Sequence, residues 1–478
     1  MADLIPIGLT FDDVLLVPRR SAVSTRRQVE TRTRVCRGIE LAIPIVSASM
    51  DTVTESAMAS AIAREGGLGV IHRFLPIADH VAEVRRVKRA ESVVIETPYT
   101  LGPEAPVRQA AAFMQEHGSA GILVIDRDRR LLGIVTARDV LFEEHLDRPI
   151  TTAMTPRERL ITAPVGTPVE EAKQILHRHR IEKLPLVDAE GRLAGLVTSR
   201  DIRSRLRYPN ATKDQKGRLR VGAAIGVRGD FLERAEALAA EEVDVLVIDI
   251  AHGHSDLAFR TVEAVRARCP EIPLIAGNVA TAEGTRDLIA CGVDGVKVGV
   301  GPGSTCTTRV VTGSGVPQLT AILECAEAAS AGGIPIIADG GIRGSGDLVK
   351  ALAAGAETAM LGNLLAGTEE SPGASVTRNG RQYKVYRGMA SLWTSAERRD
   401  MPQEDDLLTE IVPEGIEAMV PHRGRLAAVL AQLVGGLRSG MSYCGATTLG
   451  ELRANARFIR VTEAGVREGM PHDVDSLS

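Results

Sequence analysis

Eight short apolar runs recur along the chain, each four to six residues long. They comprise residues 43–46, 68–71, 221–225, 243–248, 272–276, 293–298, 334–338 and 358–361. From the third run onward they alternate with amphipathic, helix-like stretches at residues 231–241, 257–268, 282–291 and 316–331. Buried parallel strands that alternate with helices in this way close into a barrel. The pattern therefore predicts an α/β chain with a (β/α)8 TIM barrel, whose chemistry lies on the loops that follow the strands.

The second and third runs are separated by residues 93–207, a connection far longer than the few residues usual between elements. This segment repeats itself at an offset of 62 residues, so that GIVTARDV in its first half matches GLVTSRDI in its second. Such a repeat predicts two copies of one structural unit. We therefore expect residues 1–92 to begin the barrel and residues 208–478 to complete it. The inserted module between them should contain two repeats, at about 93–150 and 151–207.

Each repeat carries a Thr-x-x-Asp sequence at the start of a predicted helix: Thr136 with Asp139, and Thr198 with Asp201. The paired repeats resemble a tandem of CBS modules, named after cystathionine β-synthase. That resemblance implies that these four residues hold the ribose of a regulatory nucleotide, for which ATP and GTP are the candidates. Thr and Asp are also common helix caps, so a purely structural role stays open.

Composition narrows the possible partners of the chain. Its 57 Lys and Arg residues nearly balance its 61 Asp and Glu residues, and the net charge of −4 argues against a surface tuned to nucleic acid. The six cysteines are irregularly spaced without a Cys-x-x-Cys pair, so neither a disulfide framework nor a zinc cage is indicated. No secretory signal and no apolar run of roughly 18 residues is present. We expect a cytoplasmic protein without a membrane partner.

Candidate chemistry lies in four segments at or after the ends of predicted strands. The glycine-rich GPGSTCTTR segment places Cys306 where a barrel presents a nucleophile, although an isolated cysteine is usually a small buried hydrophobe. The DGGIRGSGD and LGN segments, after the last two strands, offer backbone N–H groups to a phosphate. Asp249, which ends VIDIAHGHS, could hold ribose hydroxyls or cap the next helix. His252 and His254 have no third ligand nearby and do not predict a metal site.

Motifs spread over nearly the whole chain resemble the family of inosine monophosphate (IMP) dehydrogenases and guanosine monophosphate (GMP) reductases. They read LTFDDVLLVP, MDTVTE, GPGSTCTTR, TGSGVPQLTA, ADGGIRGSGD, AGTEESPG, YRGM and PEG. The resemblance implies a barrel enzyme of purine nucleotide metabolism that forms a covalent bond between Cys306 and C2 of the purine. It also implies a tetramer that can pair into an octamer through the inserted module.

Carried over position by position, the resemblance implies a role for each of the following residues. The catalytic group comprises Cys306, Thr308, beside the leaving group, and Glu414, at the purine edge. The substrate contacts comprise Ser304, Gly341, Gly362 and Tyr386 for the phosphate, Asp339 for the ribose, Met50 and Met389 for the base, and Asn363, Gly388 and Gly415. The nicotinamide nucleotide would face Asp249, Asn278 and Gly299. Potassium would be ligated by the carbonyl groups of Gly301, Gly303 and Cys306.

Two chemistries share such a site, and the flap at about residues 390–414 should distinguish them. A dehydrogenase oxidises IMP with NAD and hydrolyses the adduct with water activated by an Arg-Tyr pair, whereas a reductase converts GMP to IMP and ammonia with NADPH. The flap contains no tyrosine, and its Arg398 and Arg399 are followed by Asp400. This departure predicts a CBS-containing GMP reductase that uses NADPH. An NAD-dependent IMP dehydrogenase, which YRGM and TEESPG favour, is the alternative, and an idle purine-sensing regulator is a third reading.

Overall fold

The computed structural model describes residues 5–91, 95–389 and 412–471 of the chain. These residues form two compact units. The barrel unit contains the described residues up to Ala90, Asn210–Asp214, and those from Leu219 onward. The inserted unit contains the described residues of Glu91–Pro209 together with Gln215–Arg218.

Eight parallel strands close the barrel, as the apolar runs predicted. They are β1 Ile45–Ser47, β2 Leu68–Ile71, β3 Gly222–Ile225, β4 Val245–Asp249, β5 Leu274–Val279, β6 Gly295–Val298, β7 Ile336–Asp339 and β8 Thr358–Leu361. Each strand pairs with the next along the chain, and β8 closes the barrel against β1. The predicted (β/α)8 class is confirmed. Strands β1, β4, β5, β6 and β7 each begin two residues later than the corresponding apolar runs. In β1, β5 and β7 the skipped residues include a proline, which cannot donate a ladder hydrogen bond.

Helices surround the strands. They are α1 Ser56–Arg64, α2 Ile77–Ala90, α3 Phe231–Ala240, α4 Asp256–Arg268, α5 Ala282–Ala290, α6 Gln318–Ser330, α7 Ser345–Ala353 and α8 Leu426–Tyr443. Helices α4 and α5 start where Ser255 and Thr281 accept a hydrogen bond from the backbone of the first turn. The core between helices and strands is almost wholly aliphatic. No helix within the described residues is long and apolar enough to cross a membrane.

Shorter elements complete the barrel unit. Its remaining helices are Phe11–Asp13, Arg26–Gln28, Thr308–Thr312, Asn363–Ala366, Leu449–Asn455 and Glu463–Glu468. Strand Val14–Leu16 pairs with Phe458–Arg460, and Thr33–Cys36 pairs with Ile39–Leu41. Strands Ser375–Arg378, Arg381–Arg387 and Glu417–Pro421 form an antiparallel sheet. This sheet matters for function because residues 414–416 lead directly into its last strand.

The inserted unit shows its repeat in the bounds of its elements. Its first half has strands Thr100–Leu101, Gly121–Ile125, Leu131–Thr136 and Thr155–Pro156, helices Val107–His117 and Ala137–Leu141, and short turns of helix at Ile150–Thr152 and Arg157–Arg159. Its second half has strands Ala163–Pro164, Lys183–Val187 and Leu193–Thr198, and helices Val169–His179 and Ser199–Arg207. The first long helix and the two long strands of each half lie 62 residues apart. The two halves therefore repeat one local fold, at the offset seen in the sequence.

A buried lysine joins the two ends of the barrel chain that flank the insertion. Lys88, near the end of α2, is 4% exposed. Its Nζ lies 3.1 Å from Asp214 Oδ2, in the returning segment, and 2.5 Å from Asp244 Oδ2, just before β4. Asp244 also accepts the N–H of Val221 at 2.8 Å. These ion pairs thus hold together the two barrel segments at which the chain leaves the barrel unit and returns to it.

Candidate active site

The loop after β6 carries the predicted nucleophile and depends on glycine. Gly299 has φ of +148° and Gly301 φ of +80°, in the region that side chains rarely adopt. A Cβ on Gly299 would lie 2.2 Å from the carbonyl oxygen of Asp339, so the loop could not pass so close to β7 with any other residue. The N–H of Cys306 donates to the Gly303 carbonyl at 3.1 Å. The loop therefore turns back on itself and presents the Cys306 side chain at the carboxyl end of the barrel.

Cys306 heads a chain of hydrogen bonds. Its thiol donates to Thr308 Oγ1 at 3.1 Å, and the Thr308 hydroxyl donates to Glu414 Oε2 at 2.7 Å. Because one hydroxyl both accepts and donates, the three groups form a continuous path along which a proton can move between the thiol and the carboxylate. The three residues predicted to be catalytic thus lie together.

Backbone contacts hold Glu414 against the loop. The N–H of Thr307 donates to the Glu414 carbonyl at 2.8 Å, and the N–H of Ile416 donates to the Thr305 carbonyl at 2.9 Å. Cys306 and Gly415 form an isolated antiparallel bridge between these contacts. A Cβ on Gly388 would lie 2.9 Å from the Thr305 carbonyl oxygen, so a side chain there would push these segments apart.

A buried polar cluster lies beside the loop and is centred on Lys297. This side chain is 2% exposed, and its Nζ lies 2.8 Å from Asp249 Oδ1 and 2.6 Å from Asp339 Oδ2. It also donates to Asn278 Oδ1. Asn278 Nδ2 donates to Asp339 Oδ2 at 3.0 Å and to the Gly299 carbonyl at 2.7 Å. The predicted ribose residue and the predicted cofactor residues therefore share one hydrogen-bonded network.

Charge pairing decides the ionisation of this cluster. Burial alone would lower the pKa of Lys297, but the two carboxylates raise it above its usual value. Burial alone would raise the pKa of Asp249, yet the charge of Lys297 and hydrogen bonds from Lys297 and Ser49 keep it below its usual value. The Ser49 hydroxyl donates to Asp249 Oδ2 at 2.7 Å. Sequence reasoning missed Lys297 and Ser49; the available signal was a charged residue inside the apolar run 293–298.

Two of the predicted phosphate residues, Ser304 and Gly362, lie against a third, Tyr386. This residue is 3% exposed, and hydrogen bonds join its side chain to Ser304 and Thr305. Burial raises its pKa and outweighs these hydrogen bonds, so the phenol stays a neutral donor. A Cβ on Gly362 would lie 2.8 Å from the Tyr386 hydroxyl and 3.3 Å from Met50 Sδ. The Tyr386 hydroxyl thus occupies the position that a side chain at residue 362 would need, so glycine there allows the phenol to lie against the turn after β8.

The remaining predicted residues lie nearby in the fold. Gly341, with φ of +80°, follows β7 and packs over the loop, because its Cβ would lie 3.3 Å from Pro302 Cβ. Asn363 begins the short helix after β8. Met389 follows Gly388 directly and is half-buried. Most of the predicted flap, residues 390–411, lies outside the described residues.

In the inserted unit, Thr136 and Asp139 bond to each other. The Thr136 N–H and hydroxyl both donate to Asp139 Oδ2, at 2.8 and 2.7 Å. Both residues cap the helix that starts at Ala137. Thr198 ends the matching strand of the second repeat, and the Asp201 side chain lies outside the described part of the chain. The geometry seen at the first repeat is that of a helix cap, and the nucleotide role remains a prediction.

Comparison with known proteins identifies the class of enzyme. The family model of the IMP dehydrogenase / GMP reductase domain matches residues 8–472, and the chain belongs to that family. It is 54% identical to the IMP dehydrogenase of Nitrosopumilus maritimus over 472 residues, 98% of each chain. It is 55% identical to that of Aquifex aeolicus over 470 residues, 98% of this chain and 96% of the relative.

Among solved structures, the chain is similar to GMP reductase from Trypanosoma brucei. A cysteine-to-alanine variant of that protein in complex with GMP has a TM-score of 0.94 and 43% identity, and the match covers 99% of both chains. The same enzyme in complex with guanosine 5′-triphosphate has a TM-score of 0.83 and 40% identity, over 96% of this chain and 99% of that one.

These comparisons contradict the prediction that the chain is a GMP reductase using NADPH. Curated relatives that are 51–55% identical over 98% of the chain are IMP dehydrogenases, whereas the GMP reductase structures are 40–43% identical. The prediction rested mainly on the missing Arg-Tyr pair in the flap, and the identities along the rest of the chain outweigh it. The flap argument is therefore corrected in favour of the dehydrogenase alternative.

Proposed function

We propose that the chain is an IMP dehydrogenase, which oxidises IMP to xanthosine monophosphate (XMP) with NAD. The observation that carries the proposal is the identity of 51–55% to enzymes of that name over 98% of the chain. The hydrogen-bonded path from Cys306 through Thr308 to Glu414 supports it, because covalent chemistry at a purine carbon needs both a nucleophile and a proton acceptor.

The reaction divides into two halves. The Cys306 thiolate adds to C2 of IMP, and the hydride on C2 leaves with its electron pair. This oxidation produces a thioimidate between Cys306 and the purine. Water then adds to C2, the bond to sulfur breaks, and XMP leaves while the thiol is restored. Thr308 and Glu414 can take the proton that the attacking water loses, a role that matters more here because residues 390–413 contain no tyrosine.

The residues present fit a nicotinamide nucleotide, which would accept the hydride when bound. Asp249 is kept ionised at the mouth of the barrel by Lys297, and an anionic carboxylate is a suitable acceptor for ribose hydroxyls. The Asn278 amide nitrogen is fixed by two hydrogen bonds, one to the Gly299 carbonyl and one to Asp339. These three residues would hold the cofactor beside the Cys306 loop.

The potassium proposal rests on backbone carbonyls. Gly301, Gly303 and Cys306 belong to one tight loop. The Gly303 carbonyl accepts the N–H of Cys306, and a carbonyl oxygen has a second lone pair that could bind an ion. Carbonyl oxygens are the ligands that replace the hydration shell of potassium in proteins. Bound there, the ion would hold the loop in the geometry that presents the thiol.

The proposal also covers regulation by nucleotides and assembly into oligomers. The inserted unit, with its repeat at 62 residues, supports a tandem CBS module that binds purine nucleotides such as ATP or GTP. An enzyme of this family would work as a tetramer, which the module could join into an octamer. An effector can change activity only if it binds the active and inactive arrangements with different affinities.

One assay tests the proposed reaction. IMP with NAD should produce NADH, measured by its absorbance, while GMP with NADPH should leave the absorbance unchanged. The Cys306→Ala variant should still bind IMP but show less than about 1% of the wild-type rate, because the covalent intermediate is lost. Consumption of NADPH that depends on GMP, without NADH formation from IMP, would overturn the proposal.

A further inference from the structure

Lys297 reaches three other strands of the barrel from its place on β6. Its partners are Asp249 at the end of β4, Asn278 near the end of β5 and Asp339 at the end of β7. A side chain that meets residues from both sides of its own strand must point into the barrel. It is also 2% exposed, so water does not replace these contacts.

All hydrogen-bonding capacity of the ammonium group is used within this cluster. Its three N–H groups match three acceptors: one oxygen each from Asp249, Asp339 and Asn278. A buried lysine without such partners would be very costly, and removing it would leave two carboxylates facing each other in a site of low polarity. The second oxygen of Asp249 remains engaged by Ser49, so its orientation is fixed from two directions.

We propose that Lys297 is a positioning residue that couples the substrate subsite to the cofactor subsite. Its ammonium group fixes the orientation of the Asp339 carboxylate in the substrate subsite. The same group fixes the Asp249 carboxylate and the Asn278 amide in the cofactor subsite. This inference rests on the proposed function for the assignment of the two subsites. It predicts that a substitution of Lys297 weakens the binding of both ligands, although the Lys297 ammonium group is bonded to other side chains and not to the ligands.

The test compares two buried lysines that each bridge two aspartates. Lys297→Met removes the charge at the site, and Lys88→Met removes the equivalent charge at the opposite end of the barrel, where Nζ lies near Asp214 and Asp244. Both variants should unfold at a lower temperature than the unmodified enzyme. Only Lys297→Met should raise the KM for IMP and the KM for NAD, each by about 10- to 100-fold, as small misplacements of binding groups do.

A second variant separates charge from packing. Lys297→Arg keeps the positive charge, so it should recover part of the loss in both KM values, whereas a side chain needed only to fill space would gain nothing from it. Equilibrium binding of IMP and of NAD, each measured alone by calorimetry, gives a readout that needs no turnover and applies even to an inactive variant.

The outcomes separate the inference from the proposed function. If the unmodified enzyme produces no NADH from IMP and NAD, the proposed function fails. If it does, but Lys297→Met keeps both affinities within about twofold while losing thermal stability as Lys88→Met does, the coupling role is refuted. A change in only one of the two affinities would equally refute it, since the lysine would then serve a single subsite.

Discussion

Replacing Glu414 by glutamine should slow the enzyme at one step. The Thr308 hydroxyl donates to Glu414 Oε2 at 2.7 Å, and a glutamine amide oxygen can accept the same hydrogen bond. Glu414→Gln therefore keeps the geometry but removes the group that finally holds the proton. General-base catalysis contributes about 10²- to 10⁴-fold, so kcat should fall by that factor, or ~2.7 to 5.5 kcal/mol in activation free energy.

The order of the two half-reactions gives this prediction a sharper signature. Hydride transfer precedes hydrolysis, so a variant impaired in water activation should release NADH in a burst equal to the number of active sites and then turn over slowly. Stopped-flow absorbance measures both phases. Glu417→Gln, at an exposed position three residues away, is the matched control and should behave as wild type. A kcat for Glu414→Gln within about threefold of wild type, or a slow phase without a burst, would refute the reasoning.

Three further predictions follow from contacts elsewhere in the chain. Gly362→Ala should raise the KM for IMP about tenfold or more in steady-state assays, because the new Cβ would lie 2.8 Å from the Tyr386 hydroxyl and would displace it. An unchanged KM would show that the position of Tyr386 does not matter for binding IMP. Burial, with the charge of a nearby arginine, lowers the pKa of His80 from 6.5 to about 3, so the native state keeps it neutral. Its contribution to stability is complete above about pH 6.5 and is lost as the pH falls toward 3, and His80→Gln should flatten the dependence of melting temperature on pH over that range. Asp139→Ala should weaken any effect of ATP or GTP on the rate of NADH formation; an unchanged response would mean that Asp139 only caps a helix with Thr136.

Much of the barrel could be predicted because its strands are short, apolar and separated by helices. Strands Leu68–Ile71 and Thr358–Leu361 lie where the pattern placed them. Five other strands begin two residues later than their apolar runs, because hydrophobicity does not show which residue makes the first ladder hydrogen bond. The 62-residue repeat was equally visible, because both copies use the same residues at the same turns: Asp126 and Asp188 each accept two backbone N–H groups in matching loops.

The site was harder to predict from the residues alone. Motifs located Cys306 and Glu414, but their connection through Thr308 depends on how a segment about 100 residues further along the chain packs against the loop. Lys297 was missed because a charged residue in an apolar run has no local explanation; its partners lie 19 to 48 residues away in sequence. The choice between two reactions on one scaffold was the weakest step, since it relied mainly on the missing Arg-Tyr pair in the flap.

The ion pair between Lys88 and Asp214 has a consequence for how such a chain can evolve or be redesigned. It joins the barrel segments on either side of the insertion, so those two ends are held together by the barrel itself. Along the chain, most of the inserted unit is one excursion between Ala90 and Asn210 of the barrel unit, to which Gln215–Arg218 are added. Domains are gained, lost or exchanged with least damage to the host where few contacts join two compact units. A short peptide bridge, or an unrelated ligand-binding domain with neighbouring termini, could therefore be grafted at this junction while the eight strands keep their closure.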